Sequence, residues 1–163
     1  MASGDTLVMA ECRMAFFPSS NYPGQGTRNT HPTLLFDDTT SETCYFKFTM
    51  PRNYAGGNLV AYIHFSAVSA TSGTGGWLLA FERIGDGSQD IDADGFGSDQ
   101  TVTAVTVPGT SGNVKIASLT ITAGAATDSV AAGESFRFKV ARDVTNDTAV
   151  GDLELLGVEI KEA

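Results

Sequence analysis

The chain has 163 residues, with 10 lysines and arginines against 19 aspartates and glutamates and a formal net charge of −9. That length suits one ordinary domain, and so few cations exclude nucleic acid and anionic membrane as partners, because a row of phosphates could not be neutralised. Hydrophobic residues make up 42% of the chain, enough for a sizeable core, which excludes a disordered polypeptide.

The first residues, Met1 to Asp5, lack the basic and apolar regions of a signal peptide, and no apolar run reaches membrane-spanning length. Cys12 and Cys44 stand far apart without CxxC spacing, so two reduced, partly buried thiols are expected. The Asn146-Asp147-Thr148 sequon is therefore expected to stay unmodified.

Taken in chain order, short extended pieces are predicted at residues 7–9, 14–17 and 34–36. Proline and asparagine cluster between Pro18 and Pro32 with little alternation, which predicts a strand followed by an extended arm over residues 1–32. From residue 33 onward the pattern changes to strands of period two. Phe46, Phe48 and Met50 alternate with Tyr45, Lys47 and Thr49; Leu59, Ala61, Ile63 and Phe65 alternate with Val60, Tyr62, His64 and Ser66. Trp77, Leu79 and Phe81 share a face that Arg83 continues toward solvent. Looser strands follow at residues 100–107 and 113–122, the second with room for a bulge. Phe136, Phe138 and Val140 oppose Arg137 and Lys139, and Leu156, Val158 and Ile160 oppose Gly157, Glu159 and Lys161. Glycine-rich turns at residues 55–58, 72–76, 108–113 and 132–134 separate these segments. No helical stripe is evident, and residues 123–132 are alanine-rich but broken. The expected fold is all-β: an antiparallel two-sheet sandwich, a jelly roll of about eight strands over residues 33–163 preceded by the arm.

Chemistry is sparse. His31 precedes a proline and His64 lies in a strand, outside any nucleophile–base arrangement, and no GxSxG motif exists. Ser72 to Gly76 is glycine-rich but lacks the Gly-Lys-Ser/Thr of a phosphate loop. Asp152 and Glu154 would project from one side of the last strand, as a glycosidase pair must, yet a solvated strand edge explains them equally. Asp90, Asp92 and Asp94 followed by Gly95 match the first half of a calcium loop, whereas the twelfth position is Thr101 instead of a bidentate glutamate. Arg142 is expected to pair with Asp143, Asp147 or Asp152 and to fix the turn before the last strand. No catalytic or cofactor-binding residue is assigned, and calcium at Asp90, Asp92 and Asp94 is the single cofactor kept open. The chain is expected not to be an enzyme.

Two sets of strings carry a resemblance. Leu35-Phe36-Asp37-Asp38 with the run from Tyr45 to Tyr54, and the run from Phe136 to Asp143 with Asn146-Asp147-Thr148 and Gly151 to Ile160, resemble small structural proteins of tailed bacteriophages. The resemblance spans roughly residues 33–161 and consists of strand and turn signatures. It implies a jelly-roll capsid decoration, or cement, protein: a homotrimer on the outer surface of the head, partnered by the major capsid protein, made in the host bacterial cytoplasm and residing in the virion. It implies no catalytic or ligand residues. Serine- and threonine-rich faces also suit a second class, a tail or fibre sandwich binding host surface glycans. Against that class stands Trp77, the only tryptophan, in an expected core strand, because glycan platforms expose aromatic rings.

Overall fold

The computed structural model describes residues 4–163. Met1–Ser3, where the leaderless N-terminus was expected, lie outside the described residues. The alternating segments form strands because one side of each is apolar and must be covered. Ten strands result: β1 (Thr6–Glu11), β2 (Gly24–Arg28), β3 (His31–Phe36), β4 (Thr43–Thr49), β5 (Leu59–Ala67), β6 (Thr74–Ile84), β7 (Gln100–Thr106), β8 (Lys115–Ile121), β9 (Ser135–Arg142) and β10 (Leu153–Glu162). Two single 3₁₀ turns, Cys12–Met14 and Ala125–Thr127, are the helical pieces among the described residues.

The strands make two antiparallel sheets packed as a sandwich. One has the order β2-β3-β10-β5-β8, with β1 also on β10; the other has the order β4-β9-β6-β7. Strands β3 to β10 alone, four in each sheet, trace the eight-stranded jelly roll expected from residue 33 onward. Between the sheets Trp77 meets Phe36 and Phe65 edge-on, with ring centroids 5.2 and 5.4 Å apart. Phe46 stacks on Phe138 at 5.1 Å, and Phe81 on Phe136 at 5.9 Å. All of these side chains are fully buried. Each such burial contributes about 1.5–3 kcal/mol relative to an exposed ring.

The N-terminal segment departs from the expected arm. Strand β1 pairs with β10, Phe16 makes a single bridge to Tyr45, and β2 and β3 form a hairpin that extends the six-stranded sheet. The boundary expected after residue 32 therefore falls inside β3. The hairpin turns on Asn29 and Thr30 alone, both with positive φ of 46° and 67°. This type I′ geometry usually recruits glycine, so the sequence carried no obvious turn signal there.

Register breaks also lie elsewhere than expected. Strand β8 pairs with β5 without a shift, whereas β10 carries a bulge between Leu155 and Gly157. The bulge turns Leu156 away from the core, and Leu153 and Leu155 fill the interior in its place. At the same level β10 changes partner from β3 to β1. Gly157 permits that change, since a Cβ there would stand 2.8 Å from the Ala10 carbonyl oxygen.

Candidate functional site: clefts beside the N-terminal hairpin

Because β1 and β3 share β10 end to end, the chain between them must step out of the sheet. That step is the Cys12–Met14 turn. It is tied back to β3 by the Cys12 thiol, which donates to the Pro32 carbonyl at 3.1 Å. On either side of this tie lies a cleft.

The first cleft, about 480 Å³, is lined by Cys12, Arg13, Ala15, Phe17, Gln25, Gly26, Thr27, Pro32, Thr33 and Leu34. The pairing of Gln25 with Leu34 and of Thr27 with Pro32 places both polar residues on one side of the hairpin. Both are exposed, as is Arg13. Phe17 forms an aromatic wall, supported by the half-exposed Tyr22 with ring centroids 5.7 Å apart. Thr33, paired with Gly26, sends its side chain to the other side of the hairpin, where it is 3% exposed and its hydroxyl has no hydrogen-bond partner. A buried polar group in that state costs about 1–3 kcal/mol until something satisfies it.

The second cleft, about 550 Å³, includes Glu11, Arg28, Asn29, His31, Ser66, Val114 and Leu156 in its lining. It continues into an apolar groove of about 320 Å³ bounded by Met9, His64, Val114, Leu156 and Glu159. His31 and His64, unrelated in sequence, thus border adjoining parts of one surface. Beneath them Glu154 is buried; its carboxylate accepts from Arg28 Nε and from Ser66 Oγ, each at 2.7 Å. The solvated strand edge expected for Glu154 is therefore corrected to a buried carboxylate held by Arg28 and Ser66. Asp152 and Glu154 both line a separate small cavity of about 300 Å³. The Asp152 carboxyl is pushed up, chiefly by burial and then by the charge of Asp37.

Other candidates take structural positions. Asp90, Asp92 and Asp94 stay on an exposed loop: Asp94 accepts the Asp90 amide at 2.6 Å and Asp90 accepts the Asp92 amide at 3.0 Å. They cap their own backbone, and among the described residues no group of three or more histidine, cysteine or acidic side chains is arranged to hold a metal. Arg142 is fully buried and pairs with Asp147, not Asp143 or Asp152. It also donates to the carbonyls of Phe36, Gly151 and Ala149 at 2.9, 2.8 and 2.7 Å. Cys12 and Cys44 are free and buried, and burial raises both thiol pKa values, Cys44 far more.

Sequence reasoning missed Arg13, Phe17, Gln25, Thr27 and Thr33 as a group. They converge from two segments through a hairpin that no residue pattern announced.

No family model and no curated protein sequence matches the chain. Solved structures do match the fold. Over 98% of this chain, a Clostridium thermocellum endo-1,4-β-D-xylanase fragment with CBM22-1 and GH10 modules, complexed with xylohexaose, is similar at TM-score 0.56 and 10% identity; the match covers 29% of that chain. The CBM22-1 xylan-binding domain from Paenibacillus barcinonensis matches over all of this chain and 99% of its own, at TM-score 0.54 and 11% identity. A carbohydrate-binding module of Cellvibrio mixtus lichenase, in complex with cellotriose, matches over 98% of this chain and 99% of its own, at TM-score 0.51 and 11% identity. The chain thus has the β-sandwich jelly-roll fold of these modules.

Proposed function

We propose that this chain is a non-catalytic β-sandwich module that binds glycan in the first cleft. The observation that carries the reading is the cleft's composition: one aromatic wall, Phe17, together with the amide of Gln25 and the hydroxyl of Thr27, which share one side of the hairpin. A sugar ring presents an apolar C–H face and a rim of hydroxyls. Phe17 suits the first and the two polar groups suit the second. The fold shared with modules solved with xylohexaose and cellotriose supports the class of ligand. The lining of the first cleft includes no aspartate or glutamate, which supports a binding role there over hydrolysis by a carboxylate pair.

Titration of the protein with soluble xylo-, cello- and other oligosaccharides tests this reading. Saturable binding to at least one, lowered about tenfold or more in Phe17→Ala, is expected from loss of an aromatic contact. Wild-type protein that binds none of a broad panel would overturn it.

A second reading is capsid decoration: a homotrimer bound to the major capsid protein on the virion exterior. It is supported by the resemblance of the strand and turn strings, and by the outer face of the six-stranded sheet. There Met9, Val114 and Ile116 are 62%, 55% and 48% exposed, a patch suited to contact with another protein. Quantifying the chain in purified particles against the major capsid protein separates the two, since decoration requires hundreds of copies.

A further inference from the structure

Resting on the glycan-binding reading, we infer that the first cleft selects an acidic sugar, one bearing a carboxylate such as a hexuronic acid, and that Arg13 is the residue that recognises it. The chain is strongly acidic overall, yet from Cys12 to Phe36 it contains no aspartate or glutamate while carrying Arg13, Arg28 and His31. This is the stretch that folds around the cleft. Of these three, Arg28 is committed to Glu154 and borders the second cleft. Arg13 lines the first cleft, is exposed, and has no ion pair or hydrogen-bonded side-chain partner among the described residues.

The neighbouring polar groups agree with this choice. A guanidinium only donates, and the Gln25 amide and the Thr27 hydroxyl, on the cleft side of the hairpin, also have donors to offer. A donor-rich pocket with one unpaired arginine matches a carboxylate, which accepts at both oxygens and takes arginine in a two-pronged pair. The overall charge of −9 does not prevent this. Its repulsion is screened beyond about 8–10 Å at ordinary ionic strength, whereas the contact with Arg13 is local.

The test uses titration calorimetry with short gluco-, galacto- and mannuronate oligomers and the methyl ester of each, which keeps the shape and removes the charge. For at least one sugar the free acid is expected to bind about tenfold tighter than its ester at low salt, with the advantage shrinking as salt rises. Arg13→Gln should bring acid and ester to within about twofold, with Arg13→Lys intermediate. Lys47→Gln removes the same charge from an exposed site on the four-stranded sheet and should leave the preference intact. Esters or neutral oligomers that bind as well as acids, or an acid preference that survives Arg13→Gln, would overturn the inference and leave glycan binding standing. Binding to no acid, ester or neutral oligomer would overturn both.

Discussion

The outer face of the four-stranded sheet and the cleft beside the N-terminal hairpin are built from similar residues and finished differently. On the sheet face Arg137 pairs with Glu82, Lys139 with Asp99 and Arg83 with Glu134. Phe96 stacks on Tyr45 at 5.2 Å, with the Arg137 guanidinium 4.7 Å from its ring centre. Ala80, between the inward Leu79 and Phe81, is fully buried there as well. The cleft also has arginine and aromatic rings, but among the described residues Arg13 has no ion-pair partner, and Phe17 and Tyr22 stay partly open. Cations and rings that satisfy one another hold a loop in place. Those left unsatisfied around a concavity are where a ligand gains most.

The contrast breaks most severely at Arg142, the extreme of internal satisfaction. Arg142→Leu leaves Asp147 buried without its partner and frees three carbonyls, so stability should fall by about 3–5 kcal/mol, read from the urea midpoint. Gly157→Ala should cost about 1–3 kcal/mol, because the added methyl meets the Ala10 carbonyl where β10 passes from β3 to β1. Hydrogen exchange should then show loss of protection concentrated in β1. Gln25→Ala is expected to change stability by under about 0.5 kcal/mol, as an exposed substitution on an edge strand, while weakening sugar binding. A large stability loss there would make the cleft structural, like the sheet face. Thr30→Gly should stabilise the hairpin by about 1 kcal/mol, by relieving a β-branched residue held at φ 67°.

The smallest effect concerns acid. Hydrogen bonds from Thr39, then from the Thr40 amide, hold the Asp37 carboxyl at about 2, below its ordinary value. A depressed carboxyl stabilises the fold above its unfolded pKa, and that contribution fades as pH falls toward 2. Asp37→Asn should therefore flatten the stability profile between pH 4 and about 2, without altering it at neutral pH beyond a constant offset.

How much of this was legible depended on whether a residue's partner lay in its own segment. Leu59, Ala61, Ile63 and Phe65 announced their strand because a half-buried strand repeats every two residues. The jelly roll followed from many such segments without helices. Strand β2, Gly-Gln-Gly-Thr-Arg, has almost no strand-forming residues and is held by pairing with β3, so it read as part of an arm. Leu156 read as core because Leu153, Leu155 and Leu156 leave two registers open, and the bulge chose the other one. Glu154 read as a solvated edge because Arg28 and Ser66, which bury it, are distant in sequence. Trp77 lies in the core as expected, but the objection it raised to glycan binding overlooked Phe17, which the segment between the Cys12–Met14 turn and β2 leaves partly open.

The most direct test of the account is to follow backbone amide shifts by NMR as a bound oligosaccharide is titrated in. Glycan binding in the first cleft predicts that the largest shifts fall on Arg13, Phe17, Gln25, Thr27 and Thr33, with the face around His64 and Ile116 unmoved. Shifts centred on Met9, His64 and Val114, with the hairpin cleft silent, would contradict it.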